Sequence, residues 1–261
     1  MYASLWIAKT GLDAQQTRMS TISNNMANVN TVGFKKERAL FSDLLYQNVR
    51  QVGSQTSQDT KSPTGLQVGT GVRTVATEKI HTQGNLLQTG NSLDVSIQGR
   101  GYFQIRTPDG NLGYTRDGSF KMNSEGLLVD KNGYTLDPQI TLPANANTIS
   151  ISEDGIVGVV SQGETAPTNV GQIQLADFIN PSGLQAVGDN IYVETASSGS
   201  PSVSNPGTNG AGGLIQGALE SSNVNIVEEM VNMIETQRAY EMNSKAISTT
   251  DSMIQNANQN L

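Results

Sequence analysis

The chain has 261 residues, of which 36% are hydrophobic and only 5% aromatic, with 27 glycines; this thin apolar supply suits several β-layers and solvated segments better than one large core. A net charge of −7 argues against a nucleic-acid surface, which needs a basic patch, and the absence of cysteine excludes disulfides and thiolate metal sites. No apolar run approaches the roughly 20 residues of a membrane span, and residues 1–10 lack the basic and apolar regions of a secretory signal, so any export is expected to use a route without a cleaved signal.

The first element is a helix. Leu5, Leu12, Met19 and Met26 recur every seven residues, and Ala8, Gln15, Ile22 and Val29 form a second series at the same spacing. Together they occupy the a and d positions of a heptad pattern, with Lys9, Asp13, Gln16, Arg18, Ser20 and Asn24 between them. The stripe stops at Asn30-Thr31-Val32-Gly33, where Gly33 is placed to terminate the helix. Lys35, Lys36 and Arg38 follow, and beside Glu37 they read as a solvated charged stretch.

Gln47 to Thr64 is dominated by Ser, Thr and Gln and reads as a long linker or functional arm. From Leu66 to about Val193 short apolar alternations stand between turn signals. Val95 and Ile97, then Tyr102, Phe103 and Ile105, read as strands around Gly99-Arg100-Gly101. Asp109-Gly110, Asp117-Gly118, Glu125-Gly126, Asn132-Gly133 and Asp154-Gly155 read as hairpin turns. Ser197 to Gly213 is a second linker, rich in Gly, Ser, Pro and Asn.

The last element repeats the first. Ile226, Met233, Tyr240, Ile247 and Ile254 recur every seven residues, Met230 and Ile234 widen the stripe, and the expected partner positions Gln237, Ser244 and Asp251 are polar. Asn223 or Asn225 can cap its start, where Glu228 and Glu229 suit the positive end of the dipole. Neither stripe can be buried by its own helix, so the two ends are expected to pair, the alternative being that each packs on the middle domain as an ordinary surface helix. The fold class is therefore α+β: paired terminal helices in a coiled-coil-like inner domain, and a β-rich middle.

No catalytic, cofactor or metal site emerges. His81 is the only histidine and reads as a polar strand residue, since one His without Cys builds neither a zinc site nor a catalytic triad. Asp130-Lys131-Asn132-Gly133 has its glycine too early for a calcium loop and Thr141 where a bidentate Glu belongs. Gly99-Arg100-Gly101 and Gly69-Thr70-Gly71 lack a strand-to-helix context and a P-loop lysine. Asp94, Asp117 and Asp154 sit in turn contexts.

The segment Ser23 to Lys35, with Asn25, Asn28, Asn30, Thr31, Gly33 and Phe34, resembles the signature of the flagellar rod and hook axial family. The stretch from Ser222 through Gln237-Arg238-Ala239-Tyr240-Glu241 resembles that family's other signature. Gly99-Arg100-Gly101-Tyr102-Phe103 and Tyr114-Thr115-Arg116-Asp117-Gly118-Ser119-Phe120 are also similar, so the likeness spans nearly the whole chain. Within the family, the length and the run Pro63-Thr64-Gly65-Leu66-Gln67-Val68-Gly69-Thr70-Gly71-Val72-Arg73 look like the distal-rod branch.

The resemblance implies three layers: residues 1–33 with 224–261 as an inner helical domain, 34–94 with 196–223 as an arm-like domain, and 95–195 as an outer β domain. It implies a structural subunit, not an enzyme, that self-assembles into a rigid helical tube carrying torque from motor to hook. The implied partners are further copies of the chain, other rod proteins, the hook, the surrounding basal-body rings and the flagellar type III export apparatus. Nucleic acid, membrane insertion and cofactors have no part in it, and the implied place is the rod across the periplasm. The terminal stripes are then the assembly seam, and Pro63, Gly65, Leu66, Val68 and Val72 belong to the arm. The alternatives are a proximal rod or hook subunit, or a secreted β-rich adhesin or glycan-active protein, which would have no need of matched heptads at both ends.

Overall fold

In the computed structural model, which describes residues 2–53, 63–108, 110–162 and 166–259, the terminal stripes form helices α1 (Tyr2–Ala27) and α2 (Ile226–Gln259). At 1.5 Å per residue they are about 39 and 51 Å long. They run antiparallel: the Asn25 side chain meets Glu229, and the Cα of Gly11 faces the Asn243 side chain. Asn225 Oδ1 accepts the Val227 N–H at 3.1 Å and so caps α2. Asn223, the other candidate cap, is used elsewhere.

α1 ends at Ala27, six residues before Gly33. Val29 is therefore beyond the helix, in a turn closed by the Thr31 N–H donating to Asn28 O. The remaining N-terminal stripe residues, Leu5, Ala8, Leu12, Met19, Ile22 and Met26, are all buried or half-buried. In α2 the covered series is Met233, Tyr240, Ile247 and Ile254, joined by Thr236, Asn243 and Thr250. The expected partners Gln237, Ser244 and Asp251 are exposed. A stripe with one apolar residue per heptad can widen by three positions or by four, and the facing surface decides. Here small residues approach, Gly11 against Asn243, and Thr236 is fully buried.

By its internal contacts the chain divides into two units, Met1–Ala27 with Glu37–Glu78 and Asn225–Leu261, and Asn28–Lys36 with Lys79–Val224. In the first, β1 (Glu37–Asp43) pairs with β4 (Val72–Lys79), and β2 (Gln47–Arg50) pairs antiparallel with β3 (Leu66–Val68), Gln47 opposite Val68. Residues 47–50, expected within a linker, are thus a strand. Every residue of β2 and β3 is exposed. Two contacts tie the β1–β4 pair at the root of this ribbon to α1. Asn25 Nδ2 donates to Glu37 O and the Glu37 N–H donates to Asn25 Oδ1, both at 2.8 Å. Fifteen residues earlier, Thr10 Oγ1 accepts the Val72 N–H at 3.4 Å. That interval spans about 22 Å of helix, matching the seven-residue β1 at about 3.4 Å per residue.

The second unit holds β5 (Leu86–Gln88), β6 (Val95–Gln98), β7 (Tyr102–Arg106), β8 (Leu112–Thr115), β9 (Lys121–Met122), β10 (Leu128–Val129) and β11 (Thr135–Leu136). It continues with β12 (Ala146–Ile151), β13 (Ile156–Ser161), β14 (Thr168–Gln172), β15 (Leu175–Asp177), β16 (Gln185–Gly188), β17 (Ile191–Val193), β18 (Ser202–Ser204), β19 (Gly213–Gln216) and β20 (Ala218–Glu220). The main sheet runs β16-β17-β8-β7-β11-β10-β9, with β15 joining β7 to β18. β12-β13-β14 form a second sheet, and β6 with β19 and β5 with β20 form two ladders. β18 lies in the stretch expected to be a linker. Glu125-Gly126, Asn132-Gly133 and Asp154-Gly155 make the expected tight turns. Asp117-Gly118 does not: Gly118 is pressed against the Val95 carbonyl, where a Cβ would collide. The scarce aromatics are concentrated, with Tyr102, Tyr114, Phe178 and Tyr192 in one cluster and Phe103 edge-on to Phe120 in the main core.

Candidate assembly surfaces and the buried ion cluster

The N-terminal motif works through its side chains in both units. Asn25 is buried, and besides holding β1 it donates to Glu229 Oε2 at 3.3 Å. Asn28 Oδ1 accepts from Thr31 Oγ1 at 3.1 Å, and the Phe34 N–H donates to Thr31 O at 3.3 Å. Gly33 has φ +69° and its N–H donates to Glu220 O at 2.7 Å; the Arg116–Asp117 backbone packs so close that a Cβ would collide. Only glycine meets both demands at low cost. Phe34 is buried under the Lys79 ammonium, 4.9 Å from its ring, while Asn30 is exposed. Asn223 Oδ1 accepts the Lys36 N–H at 2.6 Å, and its amide donates to the carbonyls of Ile80 and Thr82.

Lys35 departs most from expectation. Read in the sequence as part of a solvated stretch, its side chain is 1% exposed. Its ammonium donates to Glu220 Oε1 at 2.6 Å and to Thr82 O at 2.8 Å. Glu220 is fully buried; its Oε1 also accepts the Gly84 N–H at 2.9 Å and its Oε2 accepts from Arg116 Nη1 at 3.2 Å. Arg116 donates its other terminal nitrogen to Gly99 O at 2.8 Å, and its guanidinium lies over the Tyr102 ring. Burial lowers the Lys35 pKa, opposed by the Glu220 carboxylate and reinforced by Arg116. Burial also pushes Tyr102 up to about 12. Glu220 had no signal in the sequence: it lies 185 residues from Lys35, outside any local pattern. His81 sits between strands, not in one, and its Nδ1 is 2.7 Å from the Tyr102 hydroxyl.

The arm residues lie in the ribbon and its root. Leu66 and Val68 are on β3 and exposed, Val72 begins β4 and is half-buried, and Pro63 and Gly65 precede β3. Leu45, Tyr46, Val49 and Val52 add further exposed apolar side chains to the same ribbon. Residues 54–62 lie outside the described residues. In α2, Ile226, Met230 and Ile234 do not join the α1 seam; each is about half exposed, on a face shared with Val227 and Val231. The seven-residue spacing places Ile226 on the stripe, with Met230 and Ile234 as its widening; Ile226 lies past the level at which α1 ends at Ala27, while Met230 and Ile234 lie on a flank of α2 that α1 does not cover.

Three family models match: flagella basal body rod protein over residues 5–35, the flagellar hook protein FlgE/F/G D1 domain over 96–159, and the C-terminal domain of flagellar basal body rod FlgEFG proteins over 215–260. Curated relatives named flagellar basal-body rod protein FlgG align from end to end. The one from Buchnera aphidicola of Acyrthosiphon pisum is 56% identical, covering 99% of this chain and all of the relative. Those from Caulobacter vibrioides and Bacillus subtilis are 49% and 39% identical, each covering 98% of this chain, and 98% and 97% of the relative. The chain belongs to the flagellar basal-body rod protein family. Its role is structural and not enzymatic, and its place is the flagellar basal body. The buried ion cluster takes one residue from each matched segment: Lys35 from the first, Arg116 from the second and Glu220 from the third.

Proposed function

We propose that the chain is a distal-rod subunit that polymerises with further copies of itself into a stiff helical tube transmitting torque to the hook. The observation that carries this is the end-to-end likeness to relatives named flagellar basal-body rod protein FlgG in a chain that leaves two apolar surfaces uncovered, the β2–β3 ribbon and one face of α2. Exposed apolar side chains clustered on one face mark interaction surfaces. On this reading the seam helices form the inner layer, residues 34–94 with 196–223 the arm layer and residues 95–195 the outer layer. Neighbours along the axis are other rod proteins and the hook, the basal-body rings surround the tube across the periplasm, and subunits travel through the flagellar type III apparatus. The ribbon, laid on neighbouring copies, blocks sliding between subunits and keeps the tube straight. Deleting residues 54–62 tests this: electron microscopy should show polymers that still form but curve or soften. Straight polymers of unchanged stiffness overturn the locking role, and a wild-type chain that stays monomeric at high concentration and is missing from isolated basal bodies overturns the rod reading.

A further inference from the structure

We infer that the uncovered face of α2 is the seat for the first turns of α1 from a second copy of this chain, which rests on the polymer reading above and names the surfaces that join. Val227, Met230, Val231 and Ile234 are 70, 51, 51 and 48% exposed within little more than two turns. At 100° per residue Val227, Val231 and Ile234 lie 100° or more around the helix from the seam residue Met233, and Met230, about 60° from it, is the edge of the ridge nearest the seam. Glu228 and Glu235 border this ridge, and the first base of the helix is Arg238. The start of α1 is its complement. Trp6 is 55% and Ile7 37% exposed, and the Lys9 ammonium sits 5.3 Å from the Trp6 ring. No carboxylate occurs before Asp13. An apolar pair carrying one cation thus matches an apolar ridge edged by carboxylates, and such charge matching sets register and orientation as much as affinity.

The helix pair decides how the two faces meet. Asn25 lies opposite Glu229 and Gly11 opposite Asn243, which places Trp6 opposite residue 248, seventeen residues from Val231. The two faces of one copy are therefore about 25 Å apart along the pair and cannot satisfy each other. Joined between copies that point the same way, they make a heterologous contact, which repeats along an axis. In copies that point the same way, α1 of one runs antiparallel to α2 of the next. With Trp6 on Val231 and Ile7 on Met230, Lys9 then falls opposite Glu228.

Because the chain has no cysteine, this contact can be read by cross-linking. The double variant Ile7→Cys/Met230→Cys, polymerised and oxidised, should give a ladder of dimers, trimers and higher species on non-reducing gels. Each single variant should stay monomeric, and a mixture of the two should stop at dimers. Polymers without a ladder overturn the contact and leave the rod reading standing. A double variant that stops at dimers makes the contact two-fold and overturns the repeating one, dimers from one single variant overturn the pairing itself, and a wild-type chain that never polymerises removes both readings. If the cysteines themselves block assembly, charge reversal decides. Lys9→Glu should raise the concentration needed to polymerise by roughly tenfold, and adding Glu228→Lys should restore it. A double reversal no better than the single one refutes the pairing.

Discussion

Replacing Glu220 with glutamine removes the one carboxylate that two buried cations share. The wild-type cluster carries Lys35, Arg116 and Glu220, a net charge of +1 in a site where all three side chains are at most 4% exposed. Glu220→Gln raises it to +2 and leaves the Lys35 ammonium with neutral carbonyl acceptors only, that of Thr82 and the new side-chain amide. Stripping one partner from a buried pair costs about 3–5 kcal/mol, a large share of the 5–15 kcal/mol that holds a typical domain together. Lys35→Met should behave differently. It takes the cluster to neutrality, and Glu220 keeps Arg116 and the Gly84 N–H. Burial already lowers the Lys35 pKa despite Glu220, so desolvation outweighs attraction there, and the loss should stay within about 1 kcal/mol. The pH dependence has a definite sign. The unfolded chain holds the Lys35 proton more tightly than the fold does, so wild-type stability rises with pH up to the unfolded value of 10.5. Lys35→Met should abolish that rise. Urea unfolding of the full chain, followed by the near-ultraviolet circular dichroism of the buried tyrosines, reads both variants. Glu220→Gln within 1 kcal/mol of wild type, or Lys35→Met costing as much as Glu220→Gln, would refute the reasoning.

Tyr102, held at about 12 against an ordinary 10.0, keeps its proton in the fold after the unfolded chain has lost it. Stability should therefore fall by up to about 3 kcal/mol between pH 10 and 12 on its account; burial raises Tyr114 to about 12 as well, so Tyr102→Phe should reduce the fall without abolishing it in alkaline urea titrations. Asn25→Ala unpairs the Glu37 backbone and one Glu229 contact at a buried site; a loss of about 2–4 kcal/mol is expected, with faster hydrogen exchange confined to the start of β1, and unaltered exchange there would show that the ribbon root needs no such anchor. Ile22→Asp should cost several kcal/mol in thermal melts followed by helical circular dichroism, and Leu12→Asp less, because Ile22 is buried and Leu12 half-buried. Equal melts for both variants and wild type would mean that this stripe faces water.

The heptad stripes, the β-rich middle and most of its turns were legible in the sequence because each rests on local physics: a seven-residue recurrence, or a glycine that tolerates a positive φ. Leu12, Ile22, Met233 and Tyr240 could be placed on a covered face from spacing alone. Spacing could not choose Thr236 over Gln237 as the partner position, since both are neighbours on a helix and the choice belongs to the small residues of α1 opposite. It could not foresee that α1 stops at Ala27, short of Ile226, or that Met230 and Ile234 lie on a flank of α2 that α1 does not cover. Nor could it find the cluster around Glu220. A lysine beside Lys36 and Glu37 looks solvated in any local window, and what buries it is a carboxylate 185 residues away together with strands that surround it only once the chain has folded. Charge burial depends on which distant segments exclude water from a side chain, and that is decided by tertiary packing.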